Sequence, residues 1–248
     1  MSSRQPLRRR HSGSAMAADT LEPLQDQTLA MQAADAIRGL IAGGKLVGGD
    51  RLVESQIANQ LRTSRGPVRD ALFLLRAEGL VRDGPRRGSF VVQLTEQDVR
   101  EIYDLRAAVE TQAVRLLLQR RDQSAIAGLQ EAIEQMRADA AHPARTAEAD
   151  LRFHGAVCEA SGNSRLHAVF VRHATELSML VRLDEEHMDH ASASTVGDHQ
   201  LLLDALRAGD LAVAERAFRT HLEEARDRVA AHYAQTDADR AHDPMPTG

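Results

Sequence analysis

From Thr28 onward, apolar side chains recur at helical spacing as Leu29, Ala33, Ile37, Leu40 and Ile41. Gly43-Gly44 interrupts the run, so the pattern predicts a first helix that stops there. After a glycine turn at Gly48-Gly49, Ile57, Ala58 and Leu61 mark a short second helix beginning near Glu54. A third helix follows at once. Ser64 stands where its cap belongs, Pro67 falls in the first turn, where a missing N–H costs little, and Val68, Ala71, Leu72 and Leu75 form its buried stripe up to Gly79. Leu80-Val81 and Phe90-Val91-Val92 then flank Asp83-Gly84-Pro85-Arg86-Arg87-Gly88, a pattern that predicts two short strands around a basic hairpin. Three helices and a β-hairpin make a winged helix-turn-helix over residues 26–92.

Beyond Thr95, placed as an N-cap, only helical patterns occur. Segments near 97–120, 123–140, 146–161, 164–187, 198–208 and 211–233 carry apolar residues at spacings of three and four. Six such helices predict an all-α antiparallel bundle over residues 96–234, and a mainly α chain of two domains. The punctuation falls at Arg121-Asp122, His142-Pro143, Ser161-Gly162-Asn163, the polar stretch before Asp198, and Gly209-Asp210. Residues 1–25 mix Ser, Arg, Pro and Gly without apolar periodicity and are expected to be a disordered tail, with Met16 an alternative start to Met1. A second tail is expected over 235–248, where Pro244 and Pro246 stand.

Composition narrows the function classes. At 248 residues and 43% hydrophobic content, two modest cores are affordable. Cys158 is the single cysteine, so no intrachain disulfide forms and a reducing cytoplasm is expected. No apolar run reaches the roughly 18 residues of a membrane span, and the basic N-terminus lacks the apolar segment of a signal peptide. Residues 1–92 hold 14 Lys and Arg against 9 Asp and Glu, whereas residues 93–236 hold 16 against 24. A basic head beside an acidic body fits a DNA-contacting module joined to one that avoids DNA, although ordinary surface variation produces the same split. With 5 Phe, 2 Tyr and no Trp, the chain is poorly equipped to bind single strands by base stacking.

A recognition helix presents its N-terminal turns to base edges, and Arg65 and Arg69, four apart beside Ser64, are long donors in that place. Arg86 and Arg87 at the hairpin tip would meet phosphates or the minor groove, with Gly88 allowing close approach. Arginines on a solvated helix face are equally ordinary, and helix-turn-helix spacing arises by chance in helical proteins. The wording itself says more. Leu46-Val47-Gly48-Gly49-Asp50-Arg51-Leu52-Val53-Glu54, Thr63-Ser64-Arg65-Gly66-Pro67-Val68-Arg69-Asp70-Ala71-Leu72, Glu78-Gly79-Leu80-Val81 and Arg87-Gly88 resemble, in order, the GntR family of bacterial regulators. The resemblance implies a repressor-like protein whose Arg65 and Arg69 read double-stranded operator DNA with help from the wing at Gly88. Two positions depart from the family: Gly48-Gly49 stands where Pro-Gly is usual, and Gly66 stands where a threonine is usual. Any phosphate contact through that threonine is absent here.

In the helical half, Asp150 and His154 lie at i and i+4 and face one point. His199 opens a helix whose Leu202, Leu203 and Leu206 point to the core, and His221 lies in the stripe of Ala214, Phe218 and Ala225. One carboxylate and three imidazoles suit zinc, nickel or manganese better than calcium or magnesium. Taken singly, each histidine is better explained as structural or half-exposed than as a ligand, and 11 histidines in the chain make accidental selections easy. Asp150-Leu151-Arg152-Phe153-His154, Ser161-Gly162-Asn163 and the run from His199 to His221 resemble the FadR-type ligand-binding domain, known as FCD, that accompanies this branch. The resemblance implies a divalent metal, zinc foremost, at Asp150, His154, His199 and His221. It implies further that the metal helps hold a small organic or sugar acid, that Arg106 pairs with the acid's carboxylate, and that the protein is a homodimer. The six-helix count looks more like the VanR-type branch. Cys158, one turn beyond His154, reads as a small buried hydrophobe. A metal-dependent hydrolase is the main competing function, since Asp and His can activate water on a metal. An architectural DNA-binding protein with a structural metal is a third.

Overall fold

The computed structural model describes residues 28–84, 88–187 and 192–242. Helix α1 (Leu29–Ala42) begins where the Thr28 hydroxyl accepts the Met31 N–H, and it ends at Gly43, with Gly44 in the left-handed region. Helix α2 (Glu54–Gln60) and helix α3 (Arg65–Ala77) follow. Ala33, Ala34, Ile37 and Ile41 of α1 meet Val68, Ala71, Leu72 and Leu75 of α3 in one small core. Ser64 takes the N-cap position of α3, but its side chain makes no capping hydrogen bond, a departure from the role expected of it.

The expected hairpin is present as β2 (Val81–Gly84) and β3 (Gly88–Val91), to which the structure adds β1 (Arg51–Leu52). The sheet is antiparallel in the order β1-β3-β2, with Leu52 opposite Ser89 and Arg82 opposite Phe90. Two residues are too few to show strand periodicity, which is why β1 escaped the sequence pattern. Arg76 near the end of α3 ties the hairpin down through Asp83 at 3.2 Å and Ser89 at 3.3 Å.

Helix α4 (Glu96–Arg120) opens with a reciprocal cap. The Thr95 hydroxyl accepts the Asp98 N–H, and Asp98 accepts the Thr95 N–H at 2.8 Å. The bundle continues with α5 (Gln123–Gly128), α6 (Gln130–Ala138), α7 (Pro143–Ala160), α8 (Ser164–Arg172), α9 (Ala174–His187), α10 (Ser192–Ala208) and α11 (Leu211–His242). Two segments expected as single helices are thus each split by one residue, at Leu129 and at His173. Pro143, expected as punctuation, is instead the first residue of α7, where proline's fixed φ suits a helix start. α10 begins six residues before Asp198, and α11 runs past the tail boundary expected at 235, because Ala234 to Ala241 contains no helix breaker before Pro244.

α4 and α11 lie side by side and α7 packs across α4, enclosing a core that includes Val114, Leu117, Phe153, Val157, Leu203 and Phe218. Helix α9 joins the two halves. Leu177 belongs to this large core, Leu180 to a separate cluster with Leu94, Val99 and Tyr103, and Met179 packs against both that cluster and the head core. No helix among the described residues is long and apolar enough to cross a membrane.

Candidate functional site

The buried face of α4 carries Val99, Tyr103, Val114 and Leu117, yet Arg106 and Glu110 stand in the same stripe, 4% and 0% exposed. Charges placed there need partners, and the neighbouring helices supply them. Arg106 Nε donates to Glu110 Oε1 at 2.6 Å, and its Nη2 donates to Asp150 Oδ2 at 3.5 Å. Glu110 Oε2 meets His154 Nδ1 of α7 at 2.5 Å. From α10, His199 brings Nε2 to 3.0 Å from Asp150 Oδ1 and 3.1 Å from His154 Nε2. α11 closes the group with His221, whose ring centre lies 5.3 Å from that of His154 and 4.9 Å from that of His199. One ligand atom from each of Asp150, His154, His199 and His221 falls within 4.8 Å of the other three. The structure therefore brings all four sequence-derived metal candidates to one point.

Proton placement shows what the point can hold. His199 Nδ1 lies 2.8 Å from the Thr195 carbonyl, which can only accept, so Nδ1 carries the proton. Glu110 imposes the same tautomer on a neutral His154. When both rings are neutral, their Nε2 atoms turn bare lone pairs toward each other and toward the Asp150 carboxylate, an arrangement that a cation between them satisfies. Phe153 fixes both rings edge-on, with centroids 5.4 Å from His154 and 5.1 Å from His199. Nitrogen-rich donors with one carboxylate fit a first-row transition ion.

The electrostatics agree. Burial pushes the His221 imidazolium well below its ordinary range, helped by His199 and His154. Burial likewise lowers His154, although Glu110 opposes it. Burial by itself would raise Asp150 and Glu110, but their partners prevail: His154, His199 and Arg106 hold Asp150 far down, and His154 and Arg106 hold Glu110 down. At neutral pH the two shifted rings are neutral and the carboxylates charged, the states a metal requires.

A narrow cavity opens beside the cluster, lined by Tyr103, Arg106, Val181, Asp198 and Arg228 together with Asp150, His199 and His221. Arg106 faces it, but its guanidinium is already engaged by Glu110 and Asp150 and lies 5.7 Å from the Tyr103 ring centre. Sequence reasoning named Arg106 and passed over Glu110, Asp198 and Arg228. The signal for Glu110 was a carboxylate on the apolar stripe of α4, four residues from an arginine. Cys158 is fully buried in the bundle core outside the ligand group, and burial pushes its thiol up, away from the reactive thiolate.

In the head, Ser64, Arg65 and Arg69 are exposed at the start of α3. Arg69 makes only a 3.5 Å ion pair to Glu54, with two thirds of its side chain in solvent. Gly66 has open space around it, the nearest atom to an added Cβ being Ser64 Oγ at 4.0 Å. Gly88 is buried, and its place has an internal cause: a Cβ there would stand 2.7 Å from the Phe90 ring, which lies over the Gly84–Gly88 pair. Arg86 and Arg87 lie outside the described residues.

Comparison with known proteins places both halves. Residues 29–91 match the family described as bacterial regulatory proteins, gntR family, and residues 101–224 match the FCD domain. The chain is 33% identical to the probable D-xylose utilization operon transcriptional repressor of Paenarthrobacter nicotinovorans, over 82% of this chain and 89% of that one. It is 27% identical to the gluconate operon transcriptional repressor of Bacillus subtilis (strain 168), over 83% and 87%. Among solved structures, a putative transcriptional regulator GntR from Rhodococcus sp. RHA1 superposes with a TM-score of 0.70 at 27% identity, covering 82% of this chain and 98% of that one. E. coli McbR/YncC, at 22% identity and a TM-score of 0.69 over 85% and 99%, shares the fold.

Proposed function

The chain belongs to the GntR family of bacterial regulatory proteins, with an FCD domain, and we propose that it is a repressor whose hold on its operator is set by a small carboxylate bound beside a metal in the helical domain. The family and the relatives above are regulators of transcription rather than enzymes, which sets the hydrolase aside. Such a protein acts in the cytoplasm, where the DNA is.

On the DNA side, Arg65 and Arg69, exposed in the first turns of α3, would reach base edges in the major groove, while Arg86 and Arg87 would meet phosphates or the minor groove. Two heads in a homodimer would meet a pseudo-palindromic site. On the effector side, the buried cluster of three histidines and one aspartate at the cavity wall is the observation that carries the proposal. Asp150, His154, His199 and His221 would hold a divalent ion, with zinc, nickel and manganese all compatible. The ion would supply a Lewis-acidic anchor for the acid. Glu110 and Thr195 fix the ring orientations, and Arg106, held at the cavity wall by Glu110 and Asp150, would meet the acid's carboxylate beside the ion. A relative named for a gluconate operon supports a sugar acid or similar organic acid as the effector class.

Helix α9 is the physical route between the sites, since Val181 lines the cavity and Met179 rests on the head core. Effector binding would favour an arrangement of the heads that no longer matches the operator. The test is binding of the metal-loaded protein to duplex DNA from the region upstream of its own gene, across a salt series and against unrelated DNA, with gluconate and related sugar acids titrated in. Specific, salt-sensitive binding released by an acid is expected. Operator affinity unmoved by any acid would instead favour an architectural role with a structural metal.

A further inference from the structure

The fold leaves one of the chain's five phenylalanines in solvent. Phe153 and Phe218 are fully buried, Phe170 is nearly so, and Phe90 lies over the glycine pair of the hairpin, whereas Phe73 on α3 is 65% exposed. Its position along the helix gives the exposure a direction. At about 100° per residue, Arg69 stands about 40°, Phe73 about 80° and Gly66 about 100° round the axis from Arg65. The core residues Val68, Ala71, Leu72 and Leu75 fill the sector from about 240° to 340°, which lies opposite Phe73 and borders Arg65. Phe73 thus projects between the directions of Arg69 and Gly66, about 6 Å farther along the axis than Arg69. Helical side chains lean toward the N-terminus, which carries its ring back toward the two arginines. Gly66, two turns earlier on nearly the same line, adds no side chain, so the ring and the arginines form one surface.

An aromatic ring continuous with two base-reading arginines has a specific complement in the major groove, the 5-methyl group of thymine, which is the one apolar feature displayed there. We propose that Phe73 is a specificity-determining residue that reads thymine methyls at the edge of the operator half-site next to the bases read by Arg69. The inference rests on the proposed operator binding by α3.

The experiment uses the full-length protein and the shortest duplex from upstream of its own gene that the protein protects, prepared with thymine and with uracil, which differ only by the methyl. Wild-type protein should bind the uracil duplex about fourfold more weakly for each methyl contacted. Phe73→Ala should bind the thymine duplex with that loss already present and lose little more on uracil substitution, while Phe73→Leu keeps part of the discrimination. Equal losses on uracil substitution for wild type and Phe73→Ala would overturn the inference. So would a Phe73→Ala protein that changes its oligomeric state while keeping thymine discrimination, since the ring would then serve a second copy. Failure of the wild type to prefer the upstream duplex over unrelated DNA is a separate result, and it overturns the proposed function together with this inference.

Discussion

Glu110 on α4 meets the Nδ1 of His154 on α7 at 2.5 Å, although 44 residues separate them, and both side chains are completely buried. The carboxylate settles which imidazole nitrogen faces the ligand cluster. Replacing it tests whether the orientation matters. Glu110→Gln keeps the shape and an accepting oxygen but removes the charge that also balances Arg106. We expect metal affinity to fall about 10- to 100-fold, the usual cost of losing a partner behind a ligating histidine. Competition titration against a chromophoric chelator reads this directly, and unchanged affinity would count against a metal at this point.

Metal removal should lower thermal stability. An ion held at about 100 times its dissociation constant adds roughly 2.7 kcal/mol to the folded state. For a chain of this size that corresponds to a melting temperature several degrees higher. Scanning the chelator-treated protein before and after one equivalent of zinc, nickel or manganese measures it. His199→Ala, which deletes the Nε2 atom lying beside both Asp150 and His154, should abolish the gain for all three ions.

The metal-free protein should also weaken with mild acid. Burial lowers the pKa of His154 and His221 below the ordinary imidazole value of 6.5. An unfolded chain therefore takes up protons, as pH falls below 6.5, that the folded rings refuse. The stabilisation from these neutral rings is fully present above pH 6.5 and declines as pH falls toward their folded values. Asp150 and Glu110, whose folded pKa values lie below 3.8 and 4.5, lose their contribution only in stronger acid. Denaturant midpoints of metal-free protein that stay level between pH 7.5 and 5.5 would contradict the assignment.

Two substitutions on α3 separate base reading from backbone contact. Arg65→Ala or Arg69→Ala should cost about 1–3 kcal/mol of operator affinity and relax preference at one position of the half-site. Gly66→Thr has room for its side chain and restores a hydroxyl at the head of the helix. We expect it to tighten binding to operator and unrelated duplexes alike, because a phosphate contact carries no sequence information. Fluorescence anisotropy with the two duplexes distinguishes the outcomes.

Much of the architecture was legible because long helices repeat their apolar stripe many times: α4 and α7 announce themselves through spacing, and the Asp150-His154 pair is visible at i and i+4. What escaped was short or depended on long-range partners. β1 is two residues, and the splits at Leu129 and His173 are single residues with neither Gly nor Pro to mark them. At Gly88 the pattern showed the glycine but could not reveal the Phe90 ring above it. The resemblance singled out Arg106, but its engagement with Asp150 joins positions far apart in sequence and could not be read there. Buried ion pairs become visible only when helices are placed side by side.

Helix α9 sets a limit on modularity. Within five residues it gives Leu177 to the bundle core, Met179 to the head core, Leu180 to the junction and Val181 to the cavity wall. A chimera that joined a foreign head at Val92–Thr95 would respect the chain's covalent boundary while cutting across this packing. Transplanted heads should therefore recognise their own DNA yet respond poorly to this domain's effector, unless the residues that meet Met179 travel with the graft.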